Sequence, residues 1–449
     1  MKEHREHHRK RFLHSKKKLT LRRDLNLFQA TACGVGIILG AGIYVLIGMA
    51  AGTAGNAVWL SFLLSALAAV FTGISYAELS SIFPSDAGEY VYAEHAFGRA
   101  IAFFVGYLAV LAQIITGAAV ALGFAGYFSK LFGTNSILLI ALLATFFFSF
   151  INFHGIKDSK WMNVIFTILE TVGLFIIIFI ALPYFGKVNY MEMAQGFSGV
   201  FHAAALVFFA YIGFESVVKL SEETKNPTKT IPRALLLSIA ISTLLYILVA
   251  MAAVSVVGWE TLGKSAAPLA DVAAAILGSN AFVLLAVIAL FSTGNTILMS
   301  LVAASRTLYG MSHEYKLLKP FTWVHVSRRT PYIAVFASML LTFLFILPRK
   351  IDLVAEFSNF GIFLSFVIVN LALIVLRYKL PKVKRPFKAP LNIGRFAVLP
   401  FLGILAVLFL AINLQPKVIL GGIAYSILGF VLYAVVRRFG EVKGKAKTL

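Results

Sequence analysis

Within the long apolar stretches of this chain, the groups best placed to do chemistry belong to the backbone. The run Gly34-Val35-Gly36-Ile37-Ile38-Leu39-Gly40-Ala41-Gly42-Ile43-Tyr44 lies inside an apolar segment over residues 25–50. The run Phe208-Phe209-Ala210-Tyr211-Ile212-Gly213-Phe214-Glu215-Ser216 lies inside another, over 199–220. Glycine permits both an open backbone and close approach of a ligand. In hydrocarbon, unwound backbone persists only where it lines a protein cavity or a ligand. If the first segment unwinds, the amides of Gly40, Ala41 and Gly42 stand free at the start of its second half. That positive dipole end suits a carboxylate. If the second unwinds, the carbonyls of Phe209, Ala210 and Ile212 lose their helical partners and can accept from an ammonium. Together the two breaks make a receptor for a zwitterion, the form of a free amino acid. Close helix packing is the other use of glycine here, and a matched second break weakens it.

Few side chains at membrane depth are polar enough to add to this. Glu170 lies mid-segment, and an isolated charged carboxylate there costs at least ~2.5–3.5 kcal/mol, so it needs a partner or a function. A carboxyl taken out of water can carry a proton as a carrier cycles. A permanent hydrogen bond to Ser292, Thr293 or backbone is the alternative. Ser292 and Thr293 could act as hydroxyl ligands, or bond back to their own helix. Between Tyr107 and Tyr127 only Gln113 and Thr116 have hydrogen-bonding side chains. Their i, i+3 spacing puts them on one face, available to a substrate or to a neighbouring helix.

These residues need spans to position them, and the composition supplies spans. The 449 residues are 60% hydrophobic and only 13% charged, about half the charge of a soluble chain. A bilayer crossing takes about 20 mostly apolar residues. Twelve such segments are predicted, over 25–50, 56–83, 100–129, 136–153, 161–186, 199–220, 232–257, 279–305, 331–348, 353–377, 394–413 and 418–437. The chain reads as an all-α polytopic membrane protein embedded in the lipid bilayer. A cleavable signal peptide is not expected, because the first apolar stretch is too long and a charged segment precedes it. The lone Cys33 excludes an intrachain disulfide.

The net charge of +21 does not point to nucleic acid, because of where the charge lies. Of the 40 Lys and Arg, ten fall in 1–23, seven in 377–395, five each in 306–329 and 437–447, four in 219–233, two in 157–160, and one is Arg99. Six fall on the other side: Lys130, Lys187, Lys264, Arg349, Lys350 and Lys417. That asymmetry predicts both termini in the cytoplasm. The tail 1–23 reads as a disordered basic segment; its His4, His7, His8 and His14 leave metal chelation as the alternative. The tail 441–449 reads the same way. Asp24 is expected as the N-cap of the first span, Pro84 as the end of the second, and Pro232 in the first turn of the seventh. The stretch 258–280 has room for short surface helices.

At this point the chain resembles the amino acid–polyamine–organocation superfamily of transporters. The run from Gly34 through Tyr44 to Leu46 is similar to that family's first-helix signature. Tyr76-Ala77-Glu78-Leu79 and the stretch from Pro84 to Tyr92 resemble the end of its second helix and the following loop. The stretch from Phe209 to Glu215, continuing through Glu222 to Pro227 and on to Ile231-Pro232, resembles its sixth helix and exit. Ser305 to Met311 and Leu376 to Pro381, with Arg385-Pro386-Phe387, match later landmarks. The resemblance implies a leucine-transporter-like fold of twelve transmembrane helices with broken helices 1 and 6. Inverted five-helix repeats would cover about 24–186 and 199–377 of a core over 24–377, and 378–449 would hold helices 11 and 12 and a tail. It also implies that Ile38 and Gly40, Ala41 and Gly42 hold the substrate carboxylate. Phe209, Ala210 and Ile212 would take the amino group, with the Phe209 ring as a gate.

Two departures from the family refine the expectation. Proton-coupled members carry a lysine in the fifth span where this chain has Glu170. Cationic amino-acid members carry a glutamate in the third span where this chain has Ala112. Glu215 and Glu356 read as structural. The resulting expectation is secondary active transport of neutral amino acids by alternating access in the plasma membrane, coupled to protons, with sodium through Ser292 and Thr293 as the alternative. Exchange, cationic amino-acid transport and a transporter-like amino acid receptor are the competing readings. No cofactor is called for. An intramembrane enzyme would show a metal cluster or catalytic pair, and a channel a polar filter; neither pattern is present in the sequence.

Overall fold

The computed structural model describes residues 24–83, 88–155 and 159–440. The expectations for the tails 1–23 and 441–449 and for Pro84 fall outside them. Among the described residues nine helical stretches are long and apolar enough to cross a bilayer. One of these, Gly42–Ile82, runs through two of the predicted segments. Shorter apolar helices occupy the remaining segments, so the chain is a multi-pass helical membrane protein.

The first segment is α1 (Leu27–Ile38) and α2 (Gly42–Ala54), and the second is α3 (Val58–Ile82). A short α4 (Gly88–Phe97) precedes α5 (Arg99–Phe132), α6 (Ile137–His154) and α7 (Ser159–Ala181). The sixth segment begins as α8 (Gly196–Val207) and tightens into 3₁₀ turns over Phe208–Tyr211 and Phe214–Glu223. Then come α9 (Pro227–Val257), the short α10 (Trp259–Gly263) and α11 (Pro268–Leu277) in the stretch expected to hold surface helices, and α12 (Ser279–Ser312). Finally α13 (Tyr332–Ile346), α14 (Ile351–Lys379), the two-residue strands β1 (Asn392–Ile393) and β2 (Phe396–Ala397), α15 (Val398–Ile412) and α16 (Pro416–Arg438) complete the described chain.

Two helix starts differ from expectation. The N-cap of α1 is Asn26, not Asp24: the Asn26 Oδ1 accepts from Gln29 N at 2.9 Å and Gln29 Oε1 accepts from Asn26 N at 3.0 Å. This reciprocal pair satisfies two free amides of the first turn. Asp24 instead donates its backbone N–H to Glu223 O at 3.0 Å, which ties the entry of α1 to the exit of the sixth segment. α9 starts at Pro227, where a missing N–H costs nothing, and Pro232 lies inside the helix.

The largest apolar cluster is built from α1, α2, α3, α8, α9 and α14. α5 packs along both α12 and α14. Buried hydroxyls tie the apolar surfaces together: Ser61 and Ser65 on α3 donate to Val200 O at 2.9 Å and Ala204 O at 2.7 Å on α8. Lipid is as apolar as leucine, so such contacts supply specificity that hydrophobic burial cannot.

Candidate functional site

Both expected breaks are present. α1 stops at Ile38, where Leu39 leaves helical geometry with ψ 41°, and α2 starts at Gly42. The second break runs from Phe208 to Gly213, and Gly213 adopts φ +119°. That φ favours glycine, and a Cβ there would also sit a tight 3.0 Å from Ile37 O. The Glu215 carboxylate accepts the Gly213 N–H at 2.9 Å, so this residue caps the break from within. Ten residues of 3₁₀ helix follow, an unusually long run of a geometry that marks hinges.

The two breaks touch. A Cβ on Gly42 would lie 2.6 Å from Ala210 Cα, so backbone meets backbone where the segments cross. Tyr246 on α9 reaches the same place. Its hydroxyl is 2.7 Å from Ile38 O and 2.9 Å from Ala210 O, and its single hydrogen is shared between one carbonyl from each break. Asn359 on α14 donates to Ala205 O at 2.7 Å and Leu206 O at 3.1 Å. These are carbonyls of the last turn of α8. Neither residue was identified from sequence. The available signal was weak: a buried tyrosine or asparagine among apolar residues must find a partner.

The backbone groups are more engaged than the sequence implied. The Gly40 N–H donates to Ile38 O at 2.8 Å in a tight turn. The Ala41 N–H donates to Thr296 Oγ1 at 3.3 Å. Phe209 O accepts from Ile212 N at 3.3 Å, and Ala210 O from Tyr246. The expectation of free groups is therefore corrected for Gly40, Ala41, Phe209 and Ala210: local turns take the Gly40 amide and the Phe209 carbonyl, while the fold brings Thr296 to Ala41 and Tyr246 to Ala210 from distant sequence, as buried backbone groups demand. Gly40 is half-buried, whereas Ile38, Ala41, Gly42, Phe209 and Ala210 are buried.

Apolar side chains wall this region. Ala41 and Phe209 share a cluster with Ile115, Leu206, Ile297 and Val354, and Ile212 packs at its edge. Thr116 on α5 pairs with Ser358 on α14, hydroxyl to hydroxyl at 2.8 Å, and Ser358 donates to Ala112 O at 3.2 Å. Thr116 thus makes the helix–helix bond rather than standing free. Gln113 is half-buried one turn away.

Glu170 on α7 is 1% exposed. Ser292 on α12 donates to its Oε2 at 2.8 Å, and Tyr44 on α2 donates to its backbone carbonyl at 2.6 Å. Thr293 does not join them. Its hydroxyl donates to Ala289 O at 2.6 Å, back along its own helix, the arrangement β-hydroxyls readily adopt. Thr296, one turn on, donates to Ser292 O at 3.1 Å. A polar thread therefore runs from the Ala41 amide through Thr296 and Ser292 to the Glu170 carboxylate. Thr296 was missed from sequence, and its i+4 position relative to Ser292 was the clue.

A cavity of about 920 Å³ opens between the ends of α2 and α8, α10 and the start of α14. Thr53, His202, Leu206, Lys264 and Glu356 are among its walls. Leu206 is also part of the apolar cluster around Phe209, so the cavity ends beside the breaks. The Glu356 carboxylate accepts Gln415 N at 2.7 Å, holding the start of α16 to α14.

Comparison with known proteins decides the family. Residues 25–433 match the family model described as amino acid permease. This chain belongs to the amino acid permease family. It is a membrane transporter of the amino acid–polyamine–organocation superfamily, not an enzyme. The branched-chain amino acid permease BcaP of Bacillus subtilis is 33% identical over 93% of this chain and 94% of its own length. The methylthioribose transporter of the same organism is 30% identical over 83% of this chain and 85% of its own. Mouse cationic amino acid transporter 4 is 30% identical over 80% of this chain and 60% of its own length.

Proposed function

We propose that this permease is a secondary active transporter of neutral amino acids, aliphatic ones foremost, working by alternating access around one site between the two breaks. The observation that carries this reading is the meeting of two interrupted helices, Gly42 against Ala210, inside an apolar wall. Interrupted helices at corresponding places in two halves are the best pointer to a transporter's substrate site. In this reading the substrate carboxylate takes over the amides of Gly40, Ala41 and Gly42 and contacts Ile38, and its ammonium takes over carbonyls of Phe209, Ala210 and Ile212. The internal bonds now occupying several of these groups are the ones exchanged on binding. Phe209 closes over the bound molecule, and Gln113, or Thr116 once released from Ser358, meets its side chain.

Ile115, Ile297 and Val354 favour an aliphatic side chain. Ala112, in the position of the glutamate of cationic members, leaves a second cation unpaired, which costs several kcal/mol in a desolvated site. The similarity to a branched-chain permease supports the same choice. Glu170 exchanges the coupling proton, and its partner Ser292 lies on the same helix as Thr296, which accepts the Ala41 amide. Twelve spans, with inverted repeats over about 24–186 and 199–377, and plasma-membrane placement with both termini cytoplasmic, follow from the resemblance and from the side on which lysine and arginine accumulate.

Uptake of labelled amino acids into proteoliposomes, with proton or sodium gradients imposed separately, tests the proposal. Leucine, isoleucine and valine should accumulate under an inward proton gradient and compete better than arginine or lysine. A preference for cationic substrates would overturn it and point to Glu170 as the substrate's charge partner. Sodium-driven accumulation would move coupling away from Glu170.

A further inference from the structure

The end of α14 carries a second cavity, of about 320 Å³, lined by Arg377, Arg385, Lys388 and Arg395. It lies between the helix terminus and the β1–β2 hairpin. A single buried carboxylate organises half of this charge. Glu78, at the end of α3 and fully buried, accepts from Arg377 Nε at 3.0 Å and Nη2 at 2.5 Å. Arg385 Nε lies 3.2 Å from the same carboxylate, and the Ala389 N–H donates to it at 2.7 Å. Arg385 Nη2 also reaches Leu376 O at 3.2 Å and Leu380 O at 3.1 Å, closing the C-terminus of α14. Asn392, on the hairpin, accepts from Arg377.

Four positive side chains face one negative one, so the cavity keeps a surplus of three positive charges. Lys388 and Arg395 form no ion pair among the described residues, and both are exposed at the cavity's rim. Glu78, Asn392 and backbone carbonyls take the guanidinium nitrogens of Arg377 and Arg385, so the fork that can meet a phosphate through two parallel hydrogen bonds is that of Arg395. What surrounds the rim narrows the source of that phosphate. On the hairpin Leu391 is 65% and Ile393 75% exposed, and Leu391 is held at φ +56°, uncommon for a residue other than glycine. Apolar side chains projecting among lysines and arginines at the end of a spanning helix are the arrangement of a segment lying in the headgroup region.

We infer that this cavity binds the phosphate of an anionic phospholipid, with Lys388 and Arg395 capturing it from the rim and Leu391 and Ile393 entering the acyl boundary beside it. Arg377 and Arg385, fixed by Glu78, form the rigid back wall. The site joins α3, α14 and the hairpin, so an occupied site holds these elements together, whatever the substrate and its coupling ion.

The full-length protein in detergent, titrated with phosphatidylglycerol or phosphatidylcholine and read by native mass spectrometry, tests this. Phosphatidylglycerol should be retained at a phosphatidylcholine-insensitive site. Each basic residue near an anionic headgroup is worth about fivefold, so Lys388→Gln with Arg395→Gln should weaken that binding by roughly thirtyfold. The matched pair Lys225→Gln with Lys229→Gln, at exposed positions elsewhere, should leave it nearly unchanged. Equal binding by wild type and the Lys388/Arg395 variant, or an equal loss in the control pair, would overturn the site. Displacement of the lipid by an equal concentration of inorganic phosphate would overturn the lipid assignment and make the ligand a soluble phosphate.

Discussion

Glu170 and Tyr246 show how a single polar group can matter more in this protein than a whole apolar face. Tyr246 shares one hydroxyl between carbonyls of the two interrupted segments, so any movement that separates the breaks must release it. Glu170 is buried with one hydroxyl donor, Ser292, whose backbone carbonyl accepts from the Thr296 hydroxyl that in turn accepts the Ala41 amide. Moving a proton on or off that carboxyl would change its bond with the Ser292 hydroxyl, on the helix whose Thr296 holds the Ala41 amide of the first break. Glu170→Gln keeps the shape and fixes the neutral state. Proton-driven accumulation in proteoliposomes should fall to the level of passive equilibration, while substrate binding and counterflow exchange persist. If the variant still accumulates substrate against a gradient with unchanged pH dependence, the residue is structural and coupling lies elsewhere.

At the level of elements, α1–α2 and the sixth segment form one crossing rather than two separate breaks. Gly42 is the point of contact, and its environment changes what a substitution there reports. Gly42→Val drives a side chain into the Ala210 backbone, and such overpacking typically costs about 1–3 kcal/mol. It should therefore lower the melting temperature in detergent as well as abolish binding. Gly40 is the cleaner probe. A Cβ there meets only Thr296 Oγ1, at 3.4 Å, which is ordinary contact. Gly40→Ala should melt close to wild type yet bind substrate at least tenfold more weakly by a direct binding assay, since its methyl sits where the carboxylate must approach. Normal affinity in Gly40→Ala would remove the carboxylate from this turn. The paired backbones of Leu25 and Thr224, with Lys225 N donating to Leu25 O at 2.9 Å, further link the entry of α1 to the exit of the sixth segment.

Across the whole molecule, stability and orientation depend on a few charges at the ends of the bundle. Glu78 holds Arg377, Arg385 and the Ala389 amide, and thereby fastens α3, α14 and the hairpin at one end. Burying two guanidinium groups with no carboxylate between them is strongly unfavourable. Glu78→Gln should destabilise the protein by about 3–5 kcal/mol, seen as a large fall in the detergent melting temperature. An unchanged melt would mean that water reaches the arginines and that the pair contributes little. At the opposite end, the 920 Å³ cavity reaches Leu206, which shares an apolar cluster with Phe209.

The sequence by itself determined that the chain is a polytopic helical membrane protein, that its first and sixth segments break, and where. Those properties are local: hydrocarbon length, apolar composition and the backbone freedom of glycine act within a few residues of where they are written. It also pointed to Glu170 and Ser292, since a carboxyl inside an apolar stretch demands a partner. What it misjudged were matters of distant contact. The amide of Ala41 looked free because Thr296 lies 255 positions further along, and that of Gly40 because its bond to Ile38 O forms only in the tight turn of the break itself. The Ala210 carbonyl looked free because nothing adjacent to Tyr246 marks its hydroxyl as the one that reaches it. Thr293 and Ser292 are neighbours with the same chemistry, and only the rotation of α12 against α7 sends one to Glu170 and the other back to Ala289. The local N-cap choice between Asp24 and Asn26 went to the residue with Gln29 three positions on, while the strand-like contact with Glu223 drew Asp24 away. Tertiary structure decided these points because a buried polar group takes whichever partner packing delivers, and packing joins residues that sequence leaves far apart.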